Sequence, residues 1–116
     1  MQFGHLELFV SNMSKSKHFY QEVLGFEVTV TQSENLVWLQ SGPIEILLRQ
    51  GHPTQSSQKY EQAPQGIVLY TMNLAETKAL LESRQLDFKG TVDSEKCLTF
   101  TDPDGNWFQL VNPHDH

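Results

Sequence analysis

The chain runs through one pattern twice, and a repeat of that kind leaves few folds open. Phe9-Val10-Ser11-Asn12-Met13 lines up with Tyr70-Thr71-Met72-Asn73-Leu74 at an offset of 61 residues. Gly42-Pro43-Ile44-Glu45 corresponds to Gly105-Asn106-Trp107-Phe108-Gln109 at about 64. Each copy reads as a strand, a helix and three further strands. One helix covers one face of a small sheet and leaves the other face open. Two open faces curled towards each other make a cleft, which is where a ligand belongs. The expected fold is therefore α+β, with two βαβββ half-domains whose concave mixed sheets form a cleft. A single domain over 1–116 is expected, with residues 1–50 as the first half, 51–65 as a linker and 66–116 as the second half.

Local signals fill in this frame. Phe3 to Val10 alternates, placing His5, Glu7 and Phe9 on one face and Leu6, Leu8 and Val10 on the other. Ser11 to Ser14 offers N-caps for a helix to about Leu24, with Phe19, Tyr20, Val23 and Leu24 inward and Gly25 as its C-terminal stop. Strands are expected over Phe26–Thr31, Leu36–Gln40 and Ile44–Arg49. In the last of these Glu45, Leu47 and Arg49 share a face, and a carboxylate there needs either water or a partner. Gln50 to Gln65 is small and polar, a linker or lid with little structure of its own. A strand over Gly66–Asn73 follows, then a helix over Leu74–Gln85 with Leu74, Leu80 and Leu81 inward, then a strand over Asp87–Val92. Cys97–Thr101 and Trp107–Val111 form a hairpin around Asp102-Pro103-Asp104-Gly105-Asn106. Pro103 presets φ in that turn, Gly105 accepts positive φ, and the Asp and Asn side chains bond nearby amides. Gln109, polar between large apolar neighbours, is either a site residue or an edge-strand glutamine in water.

Composition narrows the function classes. A hydrophobic fraction of 38% with 19% charged residues suits an ordinary soluble protein. No apolar run approaches the roughly 20 residues that span a bilayer, so no membrane partner is expected. A net charge of −6 with scattered Lys and Arg argues against nucleic acid. Cys97 is the only cysteine, which rules out an internal disulfide and fits a reducing cytoplasm. The first residues show neither a basic nor an apolar leader region, so a cytoplasmic location is the expectation.

Phe19-Tyr20 followed by Val23-Leu24-Gly25-Phe26, the repeat, and Asp102-Pro-Asp-Gly-Asn with its outgoing strand together resemble the vicinal oxygen chelate superfamily. That is the group of glyoxalase I, bleomycin-resistance proteins and extradiol dioxygenases. The resemblance covers nearly the whole chain. It implies the fold more strongly than the activity, since the scaffold hosts lyases, thiol transferases, dioxygenases and metal-free binders. It further implies that metal-dependent members draw ligands from four equivalent places, occupied here by His5, Glu45, Gly66 and Gln109. His5 and Glu45 suit Zn²⁺, Ni²⁺, Fe²⁺ or Mn²⁺. Gly66 supplies no ligand, and Gln109 stands where a glutamate is usual, so it brings no charge and cannot act as a base. Metal ligands His5, Glu45 and Gln109, with Glu45 also the catalytic base, are one expectation; a site with no cofactor is the other.

The resemblance also implies a small-molecule ligand and a two-fold homodimer. Bleomycin-resistance-like members hold an aromatic or cationic compound without a metal. Here Phe9, Trp38, Tyr70 and Trp107 are available for stacking, Leu47 lies among them, and Glu7 with Glu45 favours positive charge. For any single aromatic, ordinary core packing is the competing role. Arg49 either grips an acidic ligand or pairs with Glu45 or Glu7, and pairing is the stronger expectation. Ligand binding without full glyoxalase I activity is the leading reading. A divergent metal-dependent lyase or isomerase is the alternative, and a purely structural or regulatory partner domain is a third.

Overall fold

Asn12 and Asn73 each open a helix in the same way. Both sit in extended backbone, and each side-chain oxygen accepts a backbone N–H three residues on, from Lys15 at 3.1 Å and from Glu76 at 3.0 Å. The computed structural model describes residues 1–54 and 57–115; Gln55 and Ser56 of the expected linker, and His116, lie outside the described residues. The chain divides into two units, Met1–Thr54 and Gln55–His116.

In the first unit, strand β1 (Leu6–Val10) leads into helix α1 (Met13–His18), followed by β2 (Glu27–Ser33), β3 (Leu36–Ser41) and β4 (Ile44–Gln50). The sheet order is β1-β4-β3-β2, with β1 parallel to β4 and the other pairs antiparallel. Leu8, Val10, Ile46, Leu48, Val37 and Leu39 are buried together with Tyr20 and Val23. The expected α-helix to Leu24 is half right: from Phe19 to Val23 the backbone widens into a π-turn, with Leu24 N–H bonded to the Phe19 carbonyl. This wider turn keeps Tyr20 and Val23 inward before Gly25, at φ 77°, reverses the chain.

The second unit repeats the order with β5 (Ile67–Tyr70), α2 (Leu74–Ser83), β6 (Thr91–Val92), β7 (Ser94–Thr101) and β8 (Trp107–Val111). Its sheet runs β5-β8-β7-β6, again with one parallel pair, β5 with β8. Phe100 and Phe108 stack at 5.1 Å under α2's side of the sheet, beside Leu98 and Leu110. Three expectations need correction. Leu80 points outward, 47% exposed, because α2 turns the half-buried Leu74 and Thr77 and the buried Leu81 inward, and position 80 falls off that stripe. Residues 87–90 are not strand; only Thr91 and Val92 pair regularly, although Lys89 and Gly90 still exchange backbone bonds with Thr99. The linker has structure of its own, since Tyr60–Gln62 forms a 3-10 turn.

The Asp102–Asn106 turn is as the residues require. Gly105 has φ 84°. Asp102, buried, accepts backbone N–H bonds from Asp104 at 3.0 Å and Asn106 at 2.8 Å on Oδ1, and the Asn106 side-chain amide on Oδ2 at 2.8 Å. Its carboxylate thus fixes the approach of β8, the strand that carries Gln109.

Candidate functional site

On the first unit's sheet the pleat puts Glu7, Phe9, Glu45, Leu47, Arg49 and Trp38 on the face away from α1. The register pairs Glu7 with Leu47 and Leu47 with Trp38, making one row across three strands. A second row joins Phe9, Arg49 and Leu36. Leu47 is buried between its neighbours, whereas Phe9 is 51% exposed.

Glu7 is the centre of this face. One carboxylate oxygen accepts the Arg49 Nε–H at 2.7 Å, and the other lies 3.1 Å from His5 Nε2. The Arg49 bond, and then the His5 bond, hold the Glu7 carboxyl below the ordinary glutamate value, while Glu7 in turn raises Arg49. Both side chains remain partly exposed, at 33% for Glu7 and 42% for Arg49, so the pair orients this face more than it stabilises the fold. His5 also packs edge-on against the Trp38 ring at 4.7 Å, and Trp38 Nε1–H donates to Gln32 Oε1. The expected pairing of Arg49 is therefore with Glu7. The expected cation-attracting pair of Glu7 and Glu45 is halved, because Arg49 already neutralises Glu7.

Glu45 stands apart from this cluster. It is exposed at the start of β4, opposite Gln40, and its side chain has no ion pair or hydrogen bond among the described residues. The structure thus joins His5 to Glu7 and Trp38 rather than to Glu45.

In the second unit, Gln109 and Thr99 face each other across β8 and β7, with Val68 beside Gln109 on β5. Gln109 is 8% exposed, so it is no edge residue in water. Its Nε2–H donates to the Tyr60 hydroxyl at 3.2 Å. Trp107, two residues earlier on the same face, is also covered: its Nε1–H donates to the Ser57 carbonyl at 2.8 Å and the Tyr60 ring meets its edge at 6.2 Å. Lys89 Nζ lies 6.0 Å from the Trp107 ring centre. Trp107 is thus a supporting wall, whereas Tyr70, at 73% exposure, is an open aromatic on β5.

Tyr60 is the residue that sequence reasoning missed. A Cβ at Gly66 would lie 2.7 Å from Tyr60 Cζ and closer still to the hydroxyl, so the phenol fills the room a side chain at 66 would need. The sequence signal was thin: one aromatic in a polar stretch without periodicity. The glycine at a ligand position was its only hint.

These arrangements decide how well the expected ligands suit a divalent ion. No three His, Cys, Asp or Glu side chains come together as a metal group among the described residues. His5 Nε2 is bonded to Glu7, Gln109 Nε2 to Tyr60, and the Tyr60 hydroxyl lies where a side chain at 66 would begin. The donor set as folded does not fit a tightly held divalent ion. The second unit also carries a depression of about 550 Å³ lined by Asn73, Leu74, Lys78, Lys96, Leu98 and Asn112, among others. Glu95 and Asp115, also in its lining, offset the two lysines, so it favours neither sign of charge. No helix among the described residues is long and apolar enough to cross a membrane.

Comparison with solved structures places the fold. A lactoylglutathione lyase from Agrobacterium tumefaciens superposes with a TM-score of 0.72 at 16% identity, covering 97% of this chain and 93% of that one. The fosfomycin resistance protein FosX from Listeria monocytogenes gives 0.72 at 16% identity, covering 96% and 90%. Virulence protein STM3117 from Salmonella typhimurium gives 0.67 at 24% identity, covering 95% and 94%. At these identities the likeness is one of fold. No curated protein matches the chain. The family model described as Glyoxalase/Bleomycin resistance protein/Dioxygenase superfamily matches residues 2–110. With that match over nearly its whole length, and the twice-repeated βαβββ order beneath it, the chain belongs to the glyoxalase/bleomycin resistance protein/dioxygenase superfamily.

Proposed function

We propose that this chain binds a small molecule on the open sheet faces of its two units and does so without a catalytic metal. The observation that carries the reading is the Tyr60 hydroxyl, which bonds Gln109 and takes the space at Gly66. Two of the four ligand places are thereby engaged in a contact within the chain. A third, His5, is hydrogen-bonded to Glu7. What the faces offer instead is apolar and aromatic surface with a few oriented polar groups, as small-molecule sites do. Phe9 and Tyr70 are exposed, Trp38 is half-buried with its edge fixed by His5, and Arg49 presents the rest of its guanidinium beyond the Glu7 bond. A flat ligand with an apolar body suits this better than a compact cation, since of Glu7 and Glu45 on the first unit's face only Glu45 is without an ion pair among the described residues.

The alternative, a metal-dependent lyase or isomerase with His5, Glu45 and Gln109 as ligands and Glu45 as base, requires Glu45, which stands apart from His5, to join it, and it has no side-chain donor at Gly66. A direct test is lactoylglutathione lyase turnover with added Zn²⁺, Ni²⁺ or Mn²⁺. The expected result is no turnover above the uncatalysed rate with any of them. Turnover that saturates with one of these ions and is lost in Glu45→Gln would instead establish the lyase. We further propose a cytoplasmic location, which the lone Cys97 fits, and a homodimer, which the resemblance implies; sedimentation of the purified chain would check the second point.

A further inference from the structure

We infer that Tyr60 acts as a built-in occupant of the second unit's ligand place: its phenol closes that place to a divalent ion and is itself the polar group presented there. The inference rests on the metal-free reading above and says which residue makes it so. Four observations converge. Gln109 Nε2–H donates to the Tyr60 oxygen, so the hydroxyl proton is left to donate elsewhere. The Tyr60 ring and the Ser57 carbonyl are both seated on Trp107, which anchors the 57–62 stretch against β8. Ser57 Oγ donates to the Gln62 carbonyl at 2.9 Å and closes the 3-10 turn that carries Tyr60. The would-be Cβ of residue 66 and the amide of residue 109 point at one spot, the Tyr60 oxygen. Side chains from 66 and 109 can meet there only when the Tyr60 ring is absent or turned aside. A glycine at 66 makes room for the Tyr60 phenol where it lies and is not called for by the backbone, since Gly66 does not lie in the left-handed region where glycine is favoured.

The consequence for a ligand is specific. A carbonyl, carboxylate or phenolate oxygen reaching this face meets a phenol O–H held in place by an amide, where metal-dependent relatives would present an ion. Tyr60 is a positioning and specificity-determining group, and no proton transfer is required of it.

A double-mutant cycle in urea tests the occupancy without any ligand. Gly66→Ala should lower the unfolding midpoint in the wild-type background. In the Tyr60→Ala background the same change should be neutral or raise the midpoint, because alanine suits ordinary backbone better than glycine does. An equal fall in both backgrounds would overturn the inference. Isothermal titration with Zn²⁺ and Ni²⁺ gives the second arm. Gly66→His with Gln109→Glu should gain no tight binding while Tyr60 is present, and adding Tyr60→Ala should raise affinity by at least a hundredfold. Tight binding by the double variant with Tyr60 in place would show that Tyr60 is no occupant. A triple variant that keeps the wild-type circular dichroism and still gains nothing would show that 66 and 109 do not converge. Tight binding by the unmodified chain would instead overturn the metal-free function and leave the Gly66–Tyr60 coupling to be judged by the urea cycle.

Discussion

Tyr20→Ala is expected to cost about 3–5 kcal/mol of stability, the range for removing a large buried ring. Tyr20 is fully buried, its ring meets Phe19 at 5.3 Å and Phe26 at 6.0 Å, and its carbonyl accepts the Phe26 N–H that turns the chain into β2. The ring is the wedge between the π-turn and the sheet. Its removal leaves a cavity that a five-residue π-turn, already held by an unusual bonding pattern, cannot close by a small shift. Against a total stability of about 5–15 kcal/mol, such a loss brings the first unit close to unfolding at room temperature. Urea titration followed by tryptophan fluorescence reads it, with Trp38 reporting the first unit and Trp107 the second. A loss under about 1 kcal/mol would mean that the helical segment is not packed on the sheet as described.

Asp102→Ala should be nearly as damaging, at about 2–4 kcal/mol, for a different reason. No cavity of consequence is made. What disappears is one buried carboxylate that gathers two backbone amides and the Asn106 side chain into a turn. The amides of Asp104 and Asn106 are only partly exposed, so water restores their bonding incompletely. Asp102→Asn is the informative control: it keeps an acceptor for the two backbone amides but sets its own NH₂ against that of Asn106, and should cost less than alanine. Differential scanning calorimetry should show a fall of roughly 10 °C for alanine, at about 4 °C per kcal/mol for a domain of this size. Equal losses for the two variants would show that the backbone bonds are not what holds the turn.

That turn was readable residue by residue, and so was most of the fold. Pro103, Gly105 and the flanking acids each answer a local geometric demand, which needs no knowledge of the rest of the chain. The same is true of Asn12 and Asn73, whose repeated capping is what a repeated βαβββ order looks like at the level of one side chain. Expectations failed where the outcome depends on what packs where. Leu80 and Leu81 are indistinguishable by hydrophobicity, and only the sheet's position selects Leu81. The π-turn comes from fitting two inward residues before Gly25, which helical periodicity does not encode. The Glu7–Arg49 pair was legible because strand alternation puts both on one face with a charge to satisfy. The assignment of His5 to a ligand set with Glu45 rested on resemblance, and in the structure a carboxylate two residues away holds the imidazole. Tyr60 was invisible for the converse reason. Its role comes from a contact between residues 60, 66 and 109, and no local rule in a polar stretch announces such a contact.

If this superfamily member works without a tightly held metal, its metal content will say so. Tag-free protein would be analysed by elemental mass spectrometry for Zn, Ni, Fe and Mn, with a thermal melt before and after chelation. The expected result is far less than one ion per chain and a melting temperature unchanged by the chelator. About one divalent ion per chain, with a melting temperature that falls on chelation, would contradict the claim. It would mean that His5, Glu45 and Gln109 come together on a metal, an arrangement different from the one described.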